Sequence, residues 1–165
     1  MPYELRSYPA PTLRPEENYL QSTWQNSVYP LAARLGVTIQ LPDVSPQPYT
    51  RKAFEGLEYA KDRAMANAYN TAVMWAFFRE SRNIGELNVL TDIAASLGFK
   101  VGEFRSALEN GTYAGRVESL LRHARETVGV SGVPFFLVGK RPLRGLQSRQ
   151  TLEQAIEQEL ELQRA

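Results

Sequence analysis

Between residues 16 and 128, apolar residues recur every three or four positions, the spacing that puts them on one face of an α-helix. Glu16 to Leu35 carries Leu20, Trp24, Val28, Leu31 and Leu35 in this way, and Gly36 is a natural stop. Pro30 inside the run predicts a break or kink near Tyr29. Thr50 is placed to cap a helix with Phe54, Leu57 and Ala64. Lys61 to Arg82 holds Ala68, Ala72, Trp75 and Phe78 with few polar interruptions, the pattern of a deeply buried helix. Asn83 to Leu97 is amphipathic, with Leu87, Leu90, Ile93, Ala94 and Leu97 on one side and Gly98 as its stop. A short helix over Val101 to Leu108 ends at Asn110-Gly111, and Tyr113 to Val128 sets Val117, Leu121, Ala124 and Val128 in one stripe.

The flanks read differently. Pro2 to Tyr8 alternates, with Tyr3, Leu5 and Ser7 between Glu4 and Arg6, which predicts a strand. Pro9, Pro11 and Pro15 follow, the last well placed for the first turn of a helix. Val37 to Leu41 is a short extended piece, and Pro42, Pro46 and Pro48 mark a loop. Near the other end, Gly129-Val130-Ser131-Gly132 leads through Val133-Pro134 into the apolar run Phe135 to Val138. That run is too short for a helix and rich in aromatic and branched residues, so it predicts a buried strand, with the proline at its entrance. Val133–Pro134 is a candidate cis peptide, a form that about 5–6% of X–Pro bonds take. A turn at Gly139-Lys140-Arg141-Pro142 precedes a brief strand near Leu143. A final helix from about Ser148 carries Leu152, Ile156 and Leu160.

Composition narrows the function. The 165 residues make one ordinary domain with room for a core, and 43% apolar with 22% charged content is that of a globular protein. A net charge of +1 gives no field to draw nucleic acid or anionic lipid. The longest uncharged apolar stretch, Thr71 to Phe78, is far short of a membrane span, and Met-Pro-Tyr-Glu-Leu-Arg lacks the apolar core of a signal peptide. The expected location is cytoplasmic. There is no cysteine, so these residues supply no disulfide, thiol nucleophile or thiolate metal site. His123 is the only histidine, which makes zinc implausible, and its place beside the Leu121/Ala124 stripe is that of a partly exposed helix residue. Ser131 has no Gly-x-Ser-x-Gly elbow around it and reads as a turn serine.

The run Gly129 to Val138, continued by Arg144-Gly145-Leu146-Gln147, resembles the cis-proline loop and following segment of DsbA-like thioredoxin-fold proteins. The resemblance is strongest to FrnE-like oxidoreductases and the 2-hydroxychromene-2-carboxylate isomerase group, and it extends over roughly residues 3 to 160. It implies an α/β, thioredoxin-like fold with a large inserted helical subdomain and the first βα unit missing. As a single domain over residues 1–165, the thioredoxin-like part is expected at 1–14 and 129–165, with a mostly helical insertion at 15–128. In the family the absent unit carries Cys-x-x-Cys, or serine in the isomerase branch, at a helix start where the positive helix end stabilises a thiolate.

The resemblance also implies roles. Gly132, Val133 and Pro134 are the expected substrate-binding residues, Val133 offering its N–H and C=O to an extended peptide or a small thiol by strand addition. The rival reading of the loop is a folding element that tightens the hairpin. No catalytic residue and no cofactor are expected. Glutathione belongs to the alternative, an isomerase or transferase relative, in which Arg51-Lys52, Arg63 and Arg79 meet its carboxylates. Gln47-Pro48-Tyr49-Thr50, where that branch often has asparagine, weakens this alternative. Trp24, Tyr29, Tyr69, Trp75, Phe77 and Phe78 line a groove or pack as helical core. A missing first strand leaves strand edges open. Residues 3–8 then pair with the hairpin, or two copies associate through the edge, or the true start lies upstream; a homodimer through the exposed sheet edge is the expected partner arrangement.

Overall fold

The computed structural model describes residues 1–164, in two compact units, 1–121 and 122–165. The first unit is helical: α1 (Asn18–Thr23), α2 (Tyr29–Arg34), α3 (Arg51–Lys61), α4 (Ala66–Phe78), α5 (Leu87–Ser96), α6 (Val101–Glu109) and α7 (Ala114–Arg122). Its core joins α3 to α6 around Tyr59, Tyr69, Phe104, Leu90 and Leu108, all of them essentially inaccessible to solvent. Tyr59 meets Phe104 edge-to-face with ring centroids 5.1 Å apart, and Phe104 stands 5.9 Å from Tyr69. Gly36, Gly98 and Gly111 each adopt positive φ just past a helix end, as their positions in the sequence predict.

Pro30 does not break its helix. A wider π turn, Trp24–Val28, lies immediately ahead of α2, with the Tyr29 N–H donating to the Trp24 carbonyl five residues back. The irregular bonding sits where the proline removes a donor, so α1, the π turn and α2 run on from one another. α4 is not deeply buried either: Tyr69, Val73 and Ala76 face the core, one position off the expected stripe, and Trp75 is 52% exposed. Its indole lies under the Arg79 guanidinium, 4.4 Å from the ring centre, so a cation covers the exposed ring.

Residues 2–8 form no strand. Glu4, on the expected outward face, is buried, while Leu5 and Tyr8 are exposed. The Glu4 carboxylate takes two hydrogen bonds from Arg51, at 2.9 and 3.0 Å, and this charge-assisted pair sets the segment's phase instead of a ladder. Val37 to Leu41 likewise has no ladder; the Gln40 N–H donates to the Phe78 carbonyl and the Leu41 N–H to the Tyr29 hydroxyl.

In the second unit a π turn, His123–Thr127, follows α7. Then come β1 (Phe135–Val138), β2 (Arg141–Arg144) and α8 (Arg149–Arg164). β1 and β2 make a two-stranded antiparallel hairpin pairing Phe135 with Arg144 and Val138 with Arg141; among the described residues the sheet holds no third strand, so residues 3–8 do not pair with it. The turn is Gly139-Lys140 alone, and Arg141 and Pro142 belong to β2. Gly139 supplies φ +57° at the first central position, and the Glu159 carboxylate occupies the space a Cβ would need. The Ser148 hydroxyl accepts the Thr151 N–H and caps α8, whereas Thr50 stands at the N-cap of α3 without a side-chain cap. α8 is buried only at Ala155; Ile156 and Leu160, on its expected inner stripe, are nearly half exposed.

The buried hydroxyls of Tyr59 and Tyr69 have no hydrogen-bond partner, and that of Tyr69 presses on Gly56, where any Cβ would collide with it. Gly56→Ala is expected to cost about 1–3 kcal/mol by overpacking. Tyr69→Phe, which removes an unsatisfied polar group, is expected to leave stability unchanged or raise it by up to about 1 kcal/mol. In the Tyr69→Phe background the Gly56→Ala cost shrinks. Urea denaturation of the four proteins measures this, and an equal Gly56→Ala cost in both backgrounds contradicts it.

Candidate functional site

Val130 anchors the glycine-punctuated loop: it is buried, and its N–H donates to the Ala124 carbonyl at 2.9 Å. Gly129, with φ +72°, lets the chain turn away from the π turn before it. Beyond Val130 the loop opens. Ser131, Val133 and Pro134 are exposed, Val133 to 52%, and Gly132 is half-buried. The Val133–Pro134 peptide is cis, as are Tyr8–Pro9 and Ser45–Pro46. At the entrance to β1 the Pro134 carbonyl accepts the Gly145 N–H at 3.0 Å.

That bond fixes the parity of the ladder. Opposed residues in an antiparallel pair alternate between bonded and unbonded. Since Pro134 and Gly145 are bonded, so are Phe136 with Leu143 and Val138 with Arg141. Phe135 and Leu137 therefore turn their N–H and C=O groups away from β2. Pro142 opposes Leu137, in an unbonded position where its missing N–H costs the ladder nothing.

The first unit holds a pocket of about 350 Å³, walled by Thr12, Gln47, Pro48, Arg51, Lys52 and Asn83 among others. Arg51 and Lys52 open α3, where helix N–H groups also favour anions. Their charges are nevertheless engaged. Arg51 is held by buried Glu4, which raises its pKa through that hydrogen bond, and Lys52 donates to buried Glu55 at 3.3 Å and to the Leu108 carbonyl at 2.5 Å. Arg63 lies 3.5 Å from the Tyr59 ring centre and pairs with Glu103, and Arg79 donates to the Thr38 carbonyl. The four cations expected to converge on a ligand's carboxylates each have another partner and do not form one cluster. The aromatics also pack among themselves, Trp24 against Tyr29 and Phe78, and Phe77 against Phe78. His123 is exposed at the start of its π turn, and no group of metal-binding side chains occurs among the described residues. No helix there is long and apolar enough to cross a membrane.

Comparison with known proteins places this arrangement. A family model for the DSBA-like thioredoxin domain matches residues 10–157, which takes in α1 to β2 and most of α8. The chain belongs to that family. It is 42% identical over 160 residues to the uncharacterized protein YwbO of Bacillus subtilis (strain 168), covering 96% of this chain and 80% of that one. Among solved structures it resembles a selenomethionine 2-hydroxychromene-2-carboxylate isomerase, with a TM-score of 0.71 and 21% identity over 85% of this chain and 67% of the other. At that identity the likeness is one of fold. The helix-rich architecture with a small sheet is a DsbA-like α/β fold, as the Gly129–Val138 resemblance implies.

The Glu4–Arg51 pair went unread in the sequence because Glu4 lies on the polar phase of an alternating run. A lone acid 47 residues from its partner leaves no spacing signal. Glu4→Gln is expected to lower stability by about 1.5–3 kcal/mol, the range for a hydrogen bond to a charged group. Arg51→Lys, which cannot span both oxygens, is expected to fall in the same direction. Unchanged urea midpoints in both variants contradict a structural role for the pair.

Proposed function

We propose that the chain is a DsbA-family oxidoreductase relative that binds an extended peptide at Gly132, Val133 and Pro134 and carries out no thiol–disulfide exchange with its own residues. The observation that supports this most is the half-exposed Val133 immediately before a fixed point, the Pro134 carbonyl held by Gly145. A ligand backbone meeting Val133 needs little ordering of the protein, since the next residue is already in the ladder. Main-chain hydrogen bonds of the strand-addition kind then give affinity with little demand on ligand sequence. Exchange itself requires a thiolate, and the 165 residues contain no cysteine. Membership of the DsbA-like family supports the lineage.

A small thiol is the alternative ligand for the same loop. Glutathione belongs to the isomerase-type reading, which needs no cysteine from the protein and draws support from the fold likeness alone. A non-catalytic binding or dimerisation module is the third reading, and binding without turnover is common to it and to the first.

In an insulin-reduction assay with dithiothreitol, the protein is expected to add nothing to the rate of dithiothreitol alone; a rate above that background contradicts the claim of no exchange. In NMR titrations with an unstructured, cysteine-free peptide, the amides of Gly132 and Val133 are expected to shift, and Val133→Asp to weaken binding about tenfold or more. Shifts produced by reduced glutathione and not by the peptide transfer the function to the isomerase-type reading. No shift at these amides with either probe overturns the site.

A further inference from the structure

We propose that Gln147 is a positioning residue for the loop at Gly132, Val133 and Pro134: its side-chain amide takes the place of the N–H that Pro134 lacks, and so keeps the Pro134 carbonyl on the Gly145 N–H. This rests on the reading of that loop as a peptide site.

A bonded pair in an antiparallel ladder exchanges two hydrogen bonds, each residue donating once and accepting once. Continuing the register by one pair beyond Phe135 and Arg144 sets Pro134 opposite Gly145. The Gly145 N–H donates to the Pro134 carbonyl at 3.0 Å. The return bond is impossible, because proline has no N–H. The Gly145 carbonyl is therefore left without its ladder donor, and by the same alternation the Arg144 carbonyl faces away from β1. Gln147 serves both: its Nε2 donates to the Arg144 carbonyl at 2.8 Å and to the Gly145 carbonyl at 3.3 Å. A primary amide carries two N–H donors, one for each oxygen. Gly145 takes φ +77°, a turn that brings a side chain two residues on back to the end of its own strand.

Two observations separate this arrangement from an ordinary helix-start contact. The cap of α8 is Ser148, whose hydroxyl accepts the Thr151 N–H at 3.0 Å, so the helix does not need Gln147. Gln147 is also half-buried, while Arg144, Gly145, Leu146 and Ser148 around it are exposed. The consequence reaches the loop. Among the described residues Val133 makes no main-chain hydrogen bond, so the nearest fixed point for its N–H and C=O is the Pro134 carbonyl. A slack Gly145 loosens that point, and a peptide then has to order the loop as it binds.

The test compares Gln147→Ala and Gln147→Glu with the unaltered protein, using the unstructured, cysteine-free peptide made with blocked termini and no ionisable side chain. In Gln147→Ala the protection of the Gly145 amide from exchange and the affinity for the peptide are each expected to fall about fivefold, the worth of one ordinary hydrogen bond. The urea midpoint is expected to stay where it is, since the change is local. Gln147→Glu is expected to match Gln147→Ala at pH 7, where an ionised carboxylate has no hydrogen to donate. It recovers as pH falls through the glutamate range, about pH 4.3, where the acid gains an O–H. The unaltered protein shows no such recovery.

Unchanged Gly145 protection in Gln147→Ala overturns the proposal, as does lost protection with peptide affinity intact. So does a Gln147→Glu protein with the same affinity at pH 7 and pH 4, or a urea midpoint that falls in Gln147→Ala, which makes Gln147 a general stability contact. The two readings fail separately. If the unaltered protein gives no shift at the Gly132 and Val133 amides, the peptide site has failed and the proposal with it. If it gives the shifts and Gln147→Ala binds equally well, the role of Gln147 alone has failed.

Discussion

A proline has no N–H to give a ladder, and the second unit is arranged around where two of them fall. Pro134 opens β1 with its carbonyl as the only ladder group it can offer, and Gly145 takes it. From that bond the alternation of the antiparallel pair is determined residue by residue. Pro142 falls on the outward phase of β2, where its missing donor weakens nothing inside and blunts the edge outside. The same alternation turns Phe135 and Leu137 outward on β1. Which backbone groups of the hairpin face inward and which outward is thus a consequence of two residues and a register.

The helical unit solves its electrostatics by local pairing. α3 buries Glu55 and Glu58 in two successive turns, each with a lysine three residues away, and α3 holds Glu4 through Arg51. Buried carboxylates kept in this way leave no surplus positive charge at the start of α3. A pocket that looks basic in the sequence is close to neutral in its surroundings. On the exposed end of the same helix, Arg116 and Tyr113 bind the Asp62 carboxyl and hold its pKa below the usual value. Asp62 therefore adds stability above its unfolded pKa, which is lost as pH falls through the lower folded value.

Much of this fold was legible because helices announce themselves. The stripe of Leu90, Ile93 and Ala94 is buried as its spacing implies, and Gly98 ends it with positive φ. Phe135 to Val138 was legible as a strand by its length and its entering proline. What failed was the reading of phase and neighbours. In residues 2–8 the alternation was real, yet Glu4 on the polar phase was buried, because its partner Arg51 was out of sight of any local pattern. In α4 a run apolar on nearly all sides has no preferred face, so its core stripe was off by one position. In α8 a good amphipathic stripe proved to be half exposed, since periodicity shows that a face seeks cover and not what covers it. The Gly132–Pro134 loop was legible through family resemblance, and its exposure was not.

The central claim is that the bond from the Gly145 N–H to the Pro134 carbonyl sets the alternation of the hairpin. Backbone amide exchange of Arg141, Leu143 and Gly145, compared with that of Arg144, tests it directly. The account predicts that Arg141, Leu143 and Gly145, whose N–H groups face β1, exchange slowly, while Arg144 exchanges fast. Protection of Arg144 with fast exchange at Leu143 and Gly145 contradicts it, for the ladder then has the opposite alternation.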